Sequence, residues 1–120
     1  MPDDMPAVDE LAVVTSFNDA INAQDVDRLG ELMTGAHRFV DSAGATIEGK
    51  LACLDAWRSF FAAFPDYRNV FEECRSLGEG LIFVRGHSLC SVAELDGPAE
   101  WRIIVQDALV DHWQVSEPQA

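Results

Sequence analysis

One hundred and twenty residues at 13.2 kDa fill a single ordinary domain and leave no room for a second. Hydrophobic residues make up 48% and charged residues 24%, the average of a globular chain, so the body of the sequence is neither fibrous nor broadly disordered. Eight basic against 21 acidic residues give a formal charge of -13, which argues against nucleic acid and anionic membrane surfaces as partners and otherwise reads as a solubility device.

The opening Met1-Pro2-Asp3-Asp4-Met5-Pro6 is too polar and too proline-rich to bury and reads as a loose tail over residues 1–6, with one domain over 7–117 and a second short tail over 118–120. From Val8 to Ala23, Leu11, Val14, Phe17 and Ile21 recur at spacings of three and four opposite Glu10, Asn18, Asp19 and Asn22, the pattern of an amphipathic helix. Asp25 is a good N-cap for a shorter second helix with apolar positions Val26, Leu29, Leu32 and Met33, stopped by Gly35, so the two helices form a hairpin. His37 to Asp41 reads as a short strand, Ser42-Ala43-Gly44 as a turn, and Thr46 to Glu48 as a second short strand. Leu51, Cys53, Leu54, Trp57, Phe60, Phe61 and Phe64 form the stripe of a third helix, ended by Pro65-Asp66. Beyond it the period changes. Arg68 to Leu77, Leu81 to Val92, Glu100 to Gln106 and Leu109 to Ser116 read as four strands of an antiparallel meander, separated by Gly78-Glu79-Gly80, Asp96-Gly97-Pro98 and Asp107-Ala108.

Helices followed by a run of strands imply an α+β fold: three N-terminal helices on one face of a curved, mostly antiparallel sheet. In the last two strands both alternating faces carry bulky residues, more than one helix layer can cover, so a homodimer through the sheet is expected. Cys53, Cys74 and Cys90 are odd in number and lack the spacing of a zinc site, and read as free thiols. There is no basic or apolar leader region, and the longest strongly apolar run, Leu81 to Val84, is far short of a membrane span; a cytoplasmic location is the expectation.

The order of elements and three strings, Phe17-Asn18-Asp19-Ala20-Ile21-Asn22-Ala23-Gln24-Asp25-Val26-Asp27, Phe64-Pro65-Asp66 and Val110-Asp111-His112-Trp113, resemble the nuclear transport factor 2-like superfamily, in its SnoaL-like polyketide cyclase and ketosteroid isomerase branch, over about residues 8 to 117. The resemblance implies a conical sheet wrapped by three helices around an internal pocket, with frequent dimerisation through the outer face of the sheet. It also places the general base of the isomerase on Asp41, counted without a gap from Asp25. A carboxylate in an apolar cone, here expected among Phe17, Met33, Trp57, Phe61, Trp101 and Ile103, loses hydration and becomes a usable base beside a carbonyl. The competing reading makes Asp41 an ordinary first residue of a turn.

The family's pattern is incomplete. Phe17 stands where the isomerase has its oxyanion tyrosine and cannot donate, and Gln114 stands where an acid commonly follows His-Trp. His87 on the third-from-last strand, set at period two with Leu81, Phe83 and Arg85, is the candidate replacement in the pocket, with Trp101 as a second donor. His37 and His112 read as structural, Arg85 and Arg102 as ligand-carboxylate binders or cross-strand partners, and Tyr67 as a loop-edge residue. No phosphate-binding glycine loop, nucleophile elbow, zinc motif or dinucleotide fingerprint is present, so no metal or cofactor is implied. Two functions remain: an isomerase or cyclase in which Asp41 takes a proton next to the carbonyl of a small apolar compound, or a non-catalytic module of the same fold that binds a small ligand or dimerises.

Overall fold

A computed structural model describes residues 9–118, so the expected tail over residues 1–6, the domain start at Ala7 and the final residues 119–120 lie outside the described residues. Helix α1 (Glu10–Ala23) opens on Asp9, whose carboxylate accepts the Ala12 N–H at 3.1 Å, and buries Val14, Phe17, Ala20 and Ile21. Asp25 caps α2 (Val26–Glu31) in the same way, accepting from the Arg28 N–H at 3.0 Å. The second helix ends sooner than its apolar pattern predicts. Leu32 is already its C-cap, and Met33 begins strand β1 (Met33–Val40), which runs through Gly35. Pairing explains the early stop: the Val110 N–H donates to the Leu32 carbonyl at 2.7 Å and Met33 registers against Val110, so the last strand recruits the chain before the helix can use Leu32 and Met33.

Strand β2 (Thr46–Glu48) folds back on β1, and α3 (Lys50–Ala63) follows. The meander is β3 (Arg68–Gly78), β4 (Leu81–Leu89), β5 (Gly97–Gln106) and β6 (Leu109–Ser116). β4 stops three residues before the expected Val92, and the chain turns through a short 3-10 helix, Ala93–Leu95, into a β5 that begins at Gly97 rather than Glu100. Two carboxylates pull it off the sheet: Asp66 accepts from the Ser91 N–H and Asp96 from the Cys90 N–H, each at 3.0 Å. At the β3–β4 turn a side chain on Gly80 would start 2.3 Å from the Val105 carbonyl oxygen, and its φ of +82 also favours glycine.

The six strands lie in the order β2-β1-β6-β5-β4-β3, antiparallel except where β1 runs parallel to β6. This is the expected α+β arrangement of three helices on a mostly antiparallel sheet. α1 rests on β3, β5 and β6, and α3 on β1 and β2, so one face is covered. Among the described residues no helix is long and apolar enough to cross a membrane.

Candidate functional site

Three rings decide where the interior is filled. Phe17 is completely buried and packs 4.6 Å from Trp113 and 5.7 Å from the His37 ring, which closes the space between α1 and the middle of the sheet. Toward the other end no ring from α1 intervenes, and a cavity of about 700 Å³ opens between α3, β1, and the ends of β5 and β6, within the range of small-molecule sites. Its walls include Phe39, Trp57, Phe60, Tyr67, Trp101 and Trp113. Exposure separates floor from mouth: Trp57, Tyr67, Ser88, Trp101 and Trp113 are buried, whereas Ser42, Glu94, Asp96 and Glu117 are exposed.

Asp41 lines this cavity and also clips its own turn. Its Oδ1 accepts the N–H groups of Ala43 and Ala45, both at 2.9 Å, which are the bonds of a turn residue. Both bonds fall on Oδ1, and among the described residues Oδ2 takes no hydrogen bond. Trp57 and Trp101 lie in the wall as well. The other expected site residues do not. Phe17, Met33 and Ile103 are buried in the core away from the cavity lining, and Phe61 packs behind Trp57 at 5.3 Å, supporting the wall without forming it.

His87 is on the wrong face for the role expected of it. Ile82, Val84, Gly86 and Ser88 point inward, and Phe83, Arg85 and His87 point outward, where His87 Nδ1 meets Glu72 Oε2 at 2.9 Å. Arg85 likewise faces Glu73 and Glu100 at 3.7 and 3.6 Å. Arg102 and Gln114, in register with each other, belong to the same outer face, so an amide at Gln114 removes no acid from the cavity. His112 Nε2 contacts Gln114 Oε1 at 3.2 Å. His37 is buried, donating from Nδ1 to the Val110 carbonyl at 2.7 Å; burial pulls its pKa below the usual histidine range.

The sequence reading missed Tyr67. It is buried in the cavity wall, with its hydroxyl 3.2 Å from Ser88 Oγ. Ser88 Oγ donates to Asn69 Oδ1 at 3.0 Å, and with one proton per hydroxyl Tyr67 must then donate to Ser88 and keep a lone pair for the cavity. Burial raises the Tyr67 pKa, so the phenol stays neutral. The strand start that carries it is fixed from α1: Asn18 and Asn22 donate to the Asn69 carbonyl at 3.2 and 2.9 Å, and Asn22 Oδ1 accepts the Asn69 N–H at 2.8 Å. The signal was the inward alternation Tyr67, Asn69, Phe71. Cys53 also lines the cavity, but burial raises its pKa and leaves it a thiol.

A sequence model of the SnoaL-like domain matches residues 14–117. No curated protein matches the chain. Among solved structures, a candidate polyketide cyclase from Sinorhizobium meliloti is 20% identical with a TM-score of 0.79, covering 88% of this chain and 94% of its own. A candidate ketosteroid isomerase from Kribbella flavida is 16% identical, TM-score 0.75, over 92% and 78%. A protein of ketosteroid isomerase-like fold from Catenulispora acidiphila, in complex with trimethylamine, is 16% identical, TM-score 0.71, over 86% and 82%. At these identities the likeness is one of fold.

Proposed function

Because the chain belongs to the SnoaL-like domain family, we propose that its domain, taken as residues 7–117, admits a small organic carbonyl compound and catalyses an isomerase- or cyclase-type step in which Asp41 removes the proton next to the carbonyl. The observation that carries this reading is that Asp41 lines a 700 Å³ aromatic cavity whose floor holds a neutral hydroxyl. The backbone N–H groups of Ala43 and Ala45 fix the carboxylate, and Oδ2 takes the proton. Trp101, whose indole can only donate, takes the role of partner to the developing oxyanion in place of His87. Tyr67 accepts a hydrogen bond from the ligand. Neither step calls on a metal or cofactor.

Proton exchange tests the step whatever the product is. Enolisable ketones incubated in deuterium oxide should lose the NMR signal of the proton next to the carbonyl, and Asp41→Asn should slow that exchange by about 10²-fold or more. Asn keeps an acceptor for Ala43 and Ala45, so the variant should still fold and bind. Equal exchange by Asp41→Asn would remove the residue from the chemistry. The bonds that Asp41 spends on its own turn favour a second reading, binding without turnover; ligand-induced stabilisation with no exchange by the native chain is the outcome that selects it.

We also propose that two copies meet through the outer face of the sheet. There Arg38, Arg75 and Arg85 lie near Glu48, Glu73 and Glu100, with Phe83 and the exposed Val70 and Leu89 beside them. In a chain of charge -13, a face that balances its own charges is where self-association costs least repulsion. Sedimentation should give a dimer that Val70→Glu dissociates; a monomeric native chain overturns this assignment.

A further inference from the structure

The lining of the cavity is electrically one-sided. Asp41, Glu94, Asp96 and Glu117 line it, and no lysine, arginine or histidine does among the described residues. The exposed positions of three of them put that charge at the mouth, while the six rings lie at the walls and floor. Carboxylates thus stand at the entrance and aromatic rings in the walls, and the faces of such rings attract cations. The floor adds an acceptor, since the Tyr67 proton is spent on Ser88 and that of Ser88 on Asn69. An anion meets repulsion at the entrance and finds no basic side chain in the lining to hold it.

We propose that the cavity selects a small organic cation, an ammonium or amine group carried on an apolar body, with the body against Trp57, Trp101 and Trp113 and the charge toward Asp41, Asp96 and Glu117. This rests on the reading that the cavity is a small-molecule site and names the class of molecule it takes. A metal ion is the poorer occupant: among the described residues no three histidine, cysteine or carboxylate side chains converge as metal ligands do. Diffuse negative charge over aromatic rings suits a bulky, weakly hydrated cation.

The test compares three benzyl probes by calorimetry: benzyltrimethylammonium, its neutral carbon isostere neopentylbenzene, and the smaller anion phenylacetate. The cation should bind about tenfold or more tighter than the isostere, and phenylacetate should not bind. Glu94→Gln with Glu117→Gln, both isosteric changes at exposed positions, should cut the preference for the cation by about two- to threefold, and added salt should cut it further while leaving the isostere unchanged. Equal or tighter binding of the isostere overturns the charge selection alone and leaves the small-molecule site standing. Binding of none of the three overturns both. A preference that survives the two substitutions and high salt overturns the role given to the mouth.

Discussion

Along β4 the two faces of one sheet diverge from residue to residue. Ile82, Val84 and Ser88 look toward rings, a hydroxyl chain and an unfilled space; Phe83, Arg85 and His87 look toward charged arms that satisfy one another. On the outer side even the phenyl ring of Phe83 is covered by the chain itself, with the guanidinium carbons of Arg75, Arg85 and Arg102 at 5.5, 5.8 and 5.3 Å from its centre. The inner face thus borders an unfilled space, while on the outer face the charged arms of β3, β4 and β5 pair with one another. A fold that hosts many chemistries carries its function in a site rather than in its architecture, and here the inner face borders the cavity.

The largest effect expected from this contrast is at Trp101, completely buried and packed on Phe71 at 4.9 Å. Trp101→Ala should cost about 3–5 kcal/mol in denaturant unfolding, since its ring both fills core and walls the cavity. Gly86 comes next. A methyl group there would start 2.0 Å from the Val70 carbonyl oxygen, so Gly86→Ala has to push β3 away and should cost about 3 kcal/mol. A tolerant Gly86→Ala would mean that β3 and β4 approach less closely, and the inward placement of Ser88 and Tyr67 would lose its support.

Element order was legible because the hydrophobic period changes visibly at Pro65, from the three-and-four spacing of Trp57, Phe60, Phe61 and Phe64 to alternation. The site was legible only where one face of an element was unambiguous. Trp57 qualifies through the stripe of α3; Asp41 and Trp101 entered through the resemblance and not through a face; β4 does not qualify. Both of its alternating sets contain apolar residues, and the set holding Phe83 looked inward because nothing local shows that three arginines from β3, β4 and β5 will lie over that ring. The true inward set ends in Gly86 and Ser88, which carry little hydrophobic signal, and a slip of one position moves every side chain across the sheet. Tyr67 escaped for a related reason: its burial depends on asparagines of α1 some fifty positions earlier gripping the backbone of Asn69.

The histidines offer a finer test of the two faces. His37, inside, has its pKa lowered by burial, and its Nε2 finds no partner among the described residues. The unfolded chain therefore binds a proton more readily than the folded one. The stability held by keeping this ring neutral is full above the unfolded pKa of about 6.5 and is lost as pH falls below it, with a slope of up to about 1.4 kcal/mol per pH unit. Thermal melts between pH 7.5 and 5 should show that fall, and His37→Gln should flatten it while lowering stability throughout. A slope unchanged in His37→Gln would move the effect to the carboxylates.

The smallest effect tests the outer face by its insensitivity. Arg102 is exposed, reaches Ser116 Oγ at 3.4 Å and lies over Phe83 as one of three guanidinium groups. Arg102→Ala should therefore cost less than about 1 kcal/mol within one copy of the chain, because two arms remain on the ring and solvent screens the third. Concentration separates this from the effect on association. If the outer face joins two copies, the melting temperature of the native chain rises with protein concentration, and Arg102→Ala lowers it most in concentrated samples, where the dimer prevails. A concentration-independent loss of about 2 kcal/mol or more would place Arg102 in a buried pair rather than a screened one. The outer face would then matter to folding as much as the inner one does, and the contrast between them would fail at its weaker side.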